Sequence, residues 1–179
     1  YSTGLSTYDA LNNKYPVAVC LDCGNLKPVA VALREKYPRL KVLIAGDNDS
    51  FGDVNAGKNG AEDAINALTG GAAYVLPDFT TITQADIQSA MLASQGSGED
   101  WGAEKSAKRK QQIERLKNER LAEYQERKPT DFNDLANWLG VSRASKQLEN
   151  AIEKISLITV EGGKLPRIIK QIENEMIFN

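Results

Sequence analysis

Two carboxylates stand two positions apart behind an apolar run in this 179-residue chain. Residues 42–45, Val-Leu-Ile-Ala, predict a buried strand, Gly46 ends it, and Asp47 and Asp49 follow with Asn48 between them. Hard cations such as Mg²⁺ are held by one or two carboxylates together with substrate phosphates. Asp47 and Asp49 are therefore candidate metal ligands and catalytic residues. A solvated turn is the alternative, because Asp and Asn favour turns.

A second acidic pair, Asp131 and Asp134, lies three positions apart at the start of a predicted helix. This spacing puts both side chains on one helix face. Carboxylates in the first turn also interact favourably with the helix dipole, which is a sufficient structural explanation. The functional alternative is that both contribute to the same metal site as the first pair.

The stretch GDVNAGKN, residues 52–59, matches the glycine and lysine spacing of a phosphate-binding loop. Asn59 stands where such loops need Ser or Thr to ligate magnesium, so a working triphosphate cradle is not expected. We retain Asn55 and Lys58 as candidate phosphate or nucleotide contacts. A tight turn into the next helix and a solvated lysine are the alternatives.

Composition excludes several kinds of chemistry. The chain has no histidine, which rules out a Ser-His-Asp triad and a Cys/His zinc site. Cys20 and Cys23 form a lone C-x-x-C beside Asp22 and within an apolar run, and we do not expect redox or metal use. The net charge of -2 indicates that the whole chain is not a nucleic-acid-binding arm. No apolar run is long enough to span a membrane, and we expect a cytoplasmic protein without a membrane partner. The start at Tyr1 suggests a piece of a longer protein.

The first half of the chain alternates strand and helix signals. Strands are predicted at 16–21, 39–45 and 72–77, with helices at 25–38 and 56–68 between them. Strands separated by helices of this length predict crossover connections and a parallel sheet. Ligands of such sheets bind at the carboxyl ends of the strands, where Asp47 and Asp49 would lie.

The second half has a different, mainly helical pattern. Helices are predicted at 83–92, 103–128, 130–140 and 142–155, with a break at 95–102 and a strand, turn and helix over 157–177. The run 103–128 carries nine basic and five acidic residues, a net charge of +4. Its interleaved glutamates favour an ordinary solvated helix, and binding of a phosphate backbone is the alternative.

Several stretches together resemble the Toprim domains of phage- and plasmid-type primases and primase-helicases. The matching segments are YSTGLS, PVAVCLDCGNLKPVAVALREKYP, VLIAGDND, NAGKNGAEDA, YVLPDF and DFNDLA, which cover about residues 1–79 and 129–140. The resemblance implies an α/β, Rossmann-like compact parallel sheet flanked by helices. It also implies that Asp47 and Asp49 are the family's D-x-D, which binds Mg²⁺ or Mn²⁺, and that Asp131 and Asp134 match its DFND motif.

The implied activity is nucleotidyl transfer for primer synthesis in the DNA replication of a plasmid, phage or other mobile element. The implied partners are a single-stranded DNA template, nucleoside triphosphates and a helicase domain in the same chain. The family carries a catalytic Glu-Gly directly before a Tyr-x-Thr-Gly stretch such as the one that begins at Tyr1. Because that glutamate would precede Tyr1, we expect this fragment to be inactive by itself.

The resemblance implies a Toprim-like domain over residues 1–140, with residues 78–129 as a long helical insertion and residues 141–179 as a helical extension. A haloacid-dehalogenase-like phosphatase is one alternative, since it also has D-x-D after a strand, with the first Asp as nucleophile. Ser50-Phe51 departs from that motif, and the predicted D-x-D does not follow the first strand. A non-catalytic nucleic-acid-binding module is the other alternative.

Overall fold

The computed structural model of the chain describes residues 1–68, 70–94 and 103–156. The predictions for 95–102 and 157–177 lie outside these ranges. A 3₁₀ turn at Cys23–Asn25 precedes α2. The helices are α1 (Ser2–Ala10), α2 (Leu26–Lys36), α3 (Ala56–Asn66), α4 (Gln84–Ser94), α5 (Ala103–Arg127), α6 (Phe132–Leu139) and α7 (Val141–Ser156), and the strands are β1 (Val42–Ala45) and β2 (Ala72–Val75).

The two strands pair in parallel, with Val42 opposite Ala72 and Ile44 opposite Tyr74. This confirms the predicted α/β class with a parallel sheet, and α3 is the crossover helix that joins the strands. All four residues of β2 are buried, as expected for a parallel strand covered on both faces. Helices α3 and α7 both pack against the two strands.

The turn before β2 depends on glycine and on one arginine. Gly70 and Gly71 have φ angles of 95° and 61°, which residues with a side chain rarely adopt. The Arg34 guanidinium on α2 donates to the carbonyl oxygens of Gly70 at 2.8 Å and Gly71 at 3.2 Å. These two bonds fix α2 to the start of β2, so that α2 and α3 bury the same apolar cluster around Ile44 and Ile65.

The predicted strand at 16–21 is wrong. Residues 16–20 have no strand partner in the described part of the chain, and Leu21 has a φ angle of 69°. Val19 is 41% exposed and Leu21 is 78% exposed, so this apolar run is not in the core. A strand needs the hydrogen bonds of a neighbouring strand, and apolar β-branched residues alone do not provide that partner.

The chain divides into two compact units, whose described residues are 1–68, 70–78 and 129–156 for the first and 79–94 and 103–128 for the second. In the first unit, α1 packs on α6 and α7. The Gln147 side chain of α7 is 8% exposed and bonds both the N–H (2.9 Å) and the carbonyl (2.7 Å) of Asp78. The assignment of 1–140 to one Toprim-like domain stays a prediction.

The second unit consists of α4 and α5 with their flanking residues. The rings of Phe79 and Tyr124 stack with centroids 5.7 Å apart, and Arg120 lies 3.5 Å from the Asp86 carboxylate. No helix within the described ranges is both long enough and apolar enough to cross a membrane.

Candidate functional site

Strand β1 delivers the first acidic pair to the carboxyl edge of the sheet. The Gly46 N–H donates to the Val75 carbonyl at 3.0 Å, so the sheet hydrogen bonds continue to the residue before Asp47. Gly46 is buried, and an added Cβ there would lie 3.1 Å from a Leu76 methyl carbon. The chain then leaves the sheet, and both carboxylates lie half-buried in the loop between β1 and α3.

The start of α3 approaches this loop so closely that only glycine fits. A Cβ on Gly57 would lie 2.4 Å from the Asp47 carbonyl oxygen and 2.7 Å from its Cβ. The Gly57 N–H donates to Asp49 Oδ2 at 2.9 Å. Asp49 therefore satisfies one of the otherwise unpaired N–H groups of the first helical turn, and one of its oxygens is already engaged.

Asn55 organises the same loop through its side-chain amide. Its Oδ1 accepts from the N–H of Asp49 at 3.0 Å and of Lys58 at 3.1 Å, and its Nδ2 donates to Asn48 Oδ1 at 2.9 Å. The Asn55 side chain thus caps the start of α3. The Lys58 ammonium makes no hydrogen bond or ion pair within the described residues, so it is available to an anion. The phosphate-binding roles of both residues stay predictions.

The second acidic pair forms the cap of α6. Asp131 is the N-cap, and its Oδ1 accepts from the Asp134 N–H at 2.7 Å. Its Oδ2 accepts from the Thr3 hydroxyl. Asp134 Oδ2 accepts from the Thr130 N–H at 2.9 Å. Both oxygens of Asp131 are thereby engaged, which supports the structural explanation for this residue. The role of the pair as metal ligands stays a prediction.

One backbone hydrogen bond joins the two acidic segments. The Asn48 N–H donates to the Thr130 carbonyl at 2.7 Å, across about 80 positions of sequence. The Ser6 hydroxyl on α1 also donates to Asn133 on α6 at 2.8 Å. The roles of these residues are not predictable from the sequence, because a backbone contact between distant segments leaves no periodic signal. The stretch YSTGLS, residues 1–6, matches the family resemblance, and that match is the sequence feature that points to a role for this segment.

The electrostatics identify Asp47 as the unusual member of the cluster. The pKa of the Asp47 carboxyl is raised to about 6, first by burial and then by the negative charges of Asp131, Asp49 and Asp134, in that order. The amino group of Tyr1 acts in the opposite direction. The structure therefore brings the other three predicted acidic residues within electrostatic reach of Asp47.

Asp47 also lacks hydrogen-bond donors within the described part of the chain. A half-buried carboxylate that faces three others without a donor is costly, and a cation would reduce that cost. Across the described ranges, no three acidic or cysteine side chains converge closely enough to hold a metal ion by themselves. The arrangement fits the open kind of Mg²⁺ site, in which one or two carboxylates act together with water and phosphate.

The two cysteines do not form a disulfide. Both are free thiols, with Cys23 exposed and Cys20 half-buried. Burial, and then the charge of Asp22, raise the pKa of the Cys20 thiol, which makes it a poorer nucleophile at neutral pH. Asp22 itself accepts from the Gly24 and Asn25 N–H groups and caps the 3₁₀ turn.

Comparison with known proteins adds two relatives. Two Escherichia coli proteins, each named DNA primase TraC, are 28% identical over 96% of this chain and 29% identical over 87% of it. The chain spans only 18% and 12% of the length of these relatives. No protein-family model matches the chain. No solved structure matches it either. The similarity to these two proteins supports a primase-related family for this chain.

Proposed function

We propose that this chain is a Toprim-like catalytic domain of a DNA primase-like protein, which performs Mg²⁺-dependent nucleotidyl transfer for primer synthesis. The observation that carries the proposal is Asp47, a half-buried carboxylate at the carboxyl end of β1 with a pKa raised to about 6 and with three acidic neighbours. Such an environment is typical of a functional site rather than of a solvated turn. The similarity to proteins named DNA primase supports the reaction class.

Asp47 and Asp49 would hold the cation, since Asp47 has both oxygens available among the described contacts and Asp49 keeps one. Asp134 also keeps one oxygen outside its bond to Thr130, whereas Asp131 acts through the geometry of α6. When bound, Mg²⁺ or Mn²⁺ would supply positive charge against the transferring phosphorus and the leaving oxygen.

The proposed substrates are nucleoside triphosphates and a single-stranded DNA template, and the proposed neighbour in a longer parent chain is a helicase domain. Lys58 is the candidate phosphate contact because its ammonium has no partner among the described residues. Asn55 would act by keeping Asp49 and the start of α3 in place.

The proton-transferring glutamate of the proposed mechanism would precede Tyr1 in a longer protein. The Tyr1 amino group is close enough to Asp47 to lower the pKa of its carboxyl, so a residue joined to Tyr1 would enter the same acidic neighbourhood.

Calorimetric titration with Mn²⁺ and Mg²⁺ tests the proposal. The wild type should bind weakly, and Asp47→Asn and Asp49→Asn should each remove most of the binding heat. Asp53→Asn is the matched control. Asp53 is an exposed carboxylate in the same loop, and its substitution removes the same charge. Equal heats from the wild type and Asp47→Asn would refute the proposal.

A haloacid-dehalogenase-like phosphatase is the second candidate, and one observation favours it. Because 16–21 is not a strand, Asp47 follows the first strand of the described chain, as the nucleophile of such an enzyme would. Ser50-Phe51 still departs from that motif. Trapping of an aspartyl-phosphate at Asp47 with acetyl phosphate would support the phosphatase and contradict nucleotidyl transfer.

A further inference from the structure

The basic charge of the chain is concentrated in the first half of α5. Residues 107–118 contain five basic side chains and one acidic, a net charge of +4. Residues 119–128 contain three of each and are neutral. Since the whole chain carries -2, everything outside 107–118 carries -6. Arg109 bonds the Gln84 side chain of α4 at 3.4 Å. The other basic residues of this segment, which we call the α5 basic surface, are Lys108, Lys110, Arg115 and Lys117.

Helix α5 has a clear inner side within the second unit. Its half-buried positions include Ile113, Leu116, Arg120 and Tyr124, which recur every three or four residues as one stripe. Tyr124 stacks on Phe79. These contacts show which side of α5 faces inward. The outer side lies opposite this stripe, and the helical period gives the residues on it.

The centre of the outer side carries two amide side chains that can form hydrogen bonds. Gln111 and Asn118 lie seven positions apart near the centre of this side, and both side chains are exposed. The rise of an α-helix separates them by about 10 Å along the axis. Amide side chains of this kind donate and accept hydrogen bonds without a charge of their own.

A row of cations lies on each flank of this neutral strip. Lys108 and Arg115 form one row and Lys110 and Lys117 the other, and each row has the same spacing of seven residues. All four side chains are exposed. The helical period puts Glu114 between the amides and the second row, but the segment keeps a net charge of +4. That net charge is complementary to a chain of phosphates, which presents negative charge at regular intervals.

The glutamates on this helix do not neutralise the surface. Arg115 lies 2.7 Å from Glu119, and Lys117 lies 3.8 Å from Glu114, with all four side chains at least half exposed. Exposed ion pairs of this kind are weak and are screened by salt, so a phosphate can replace the glutamate as partner. Lys110 has no ion pair within the described part of the chain.

We propose that the α5 basic surface binds the phosphate backbone of single-stranded nucleic acid. The choice of nucleic acid over another polyanion rests on the proposed primase function, whereas the location rests on charge and helix geometry alone. The surface contacts phosphates and no bases, so binding is independent of sequence and falls steeply with salt.

The test measures the fluorescence anisotropy of labelled oligothymidylate, about twenty nucleotides long, against the full 179-residue chain. The buffer contains EDTA, so that cation binding at Asp47 does not contribute. The test variant is Lys110→Gln with Lys117→Gln. The matched control is Arg127→Gln with Lys128→Gln, which removes two positive charges from the neutral segment 119–128 at the end of α5. Gln keeps the helix propensity of the three helical positions, and Lys128 lies just beyond the end of α5.

The test variant should bind about tenfold more weakly, and its slope of log affinity against log salt should be smaller by about 1.4, the value for two lost single-strand phosphate contacts. The control should change affinity by less than about twofold. Equal weakening in both variants, no binding by the wild type at low salt, or equally effective competition by polyglutamate would each overturn the proposal. Loss of Mn²⁺ binding in Asp47→Asn bears only on the proposed catalytic function, so the two hypotheses fail separately.

Discussion

Replacing Asp47 with Asn should stabilise the metal-free protein at neutral pH. Asn has nearly the shape of the protonated carboxyl, keeps the close packing of the backbone on Gly57 and cannot ionise. The folded protein holds the Asp47 pKa at about 6, against 3.8 for the unperturbed group. The charged form is therefore disfavoured in the folded state, first by burial and then by the neighbouring carboxylates.

The sign and size of the effect follow from linkage. Between the two pKa values the folded state binds more protons than the unfolded state, so the free energy of unfolding falls as pH rises from about 4 to about 6. A shift of about two units corresponds to about 3 kcal/mol at most. Asp47 is only half-buried, so solvent screening reduces this to on the order of 2 kcal/mol. Asp47→Asn should gain that amount above pH 7 and almost nothing below pH 4.

Urea unfolding followed by circular dichroism, in EDTA and across this pH range, measures the difference between variant and wild type. Subtraction removes the titration of the other carboxylates that both proteins share. Asp53→Asn, an exposed neighbour in the same loop, should show no comparable gain. Mg²⁺ at ten times its dissociation constant should stabilise the wild type by about 1.4 kcal/mol and reduce the advantage of Asp47→Asn. An unchanged or lower stability of Asp47→Asn at pH 7.5 would refute the account of Asp47.

Three further substitutions test the surrounding structure, each by urea unfolding. Gly57→Ala should cost about 2 kcal/mol or more, because its Cβ has no room, whereas Gly52→Ala, whose nearest atom is 3.4 Å away, should cost much less. Gln147→Leu should lower the free energy of unfolding by about 2–4 kcal/mol, because it removes both bonds between the Gln147 side chain and the Asp78 backbone. A loss below about 1 kcal/mol would contradict a stabilising role for these two bonds. Asp131→Ala should lose about 1–2 kcal/mol and Asp131→Asn less, since Asn also caps helices, and equal losses would argue against a cap.

Local sequence patterns determined most of the regular elements. The apolar run 42–45 and the buried run 72–75 form the two strands, and the helical periods near residues 26–36, 56–66 and 132–139 form helices with ends close to those predicted. These elements depend on interactions between residues three or four apart, on caps such as Asn55 and Asp131, and on burial of one apolar face. All of these can be inferred from nearby residues.

The sequence also determined the chemistry that is possible. Without histidine, and with acidic residues at the ends of apolar segments, carboxylates bound to a hard cation were the natural hypothesis. Asp47 and Asp49 were predicted as metal ligands from their residue types and their positions in the sequence alone. That hypothesis did not require knowledge of which other residues surround them.

Only the tertiary structure decided which residues meet and which remain without a partner. Residues 16–20 have the composition of a strand but no neighbour to pair with, and a strand is defined by that neighbour. The bond from Asn48 to Thr130 brings Asp131 and Asp134 to Asp47, and their summed charge, together with burial, raises its pKa. Pairing and electrostatic coupling act through space between segments far apart along the chain, so local patterns carry no record of them.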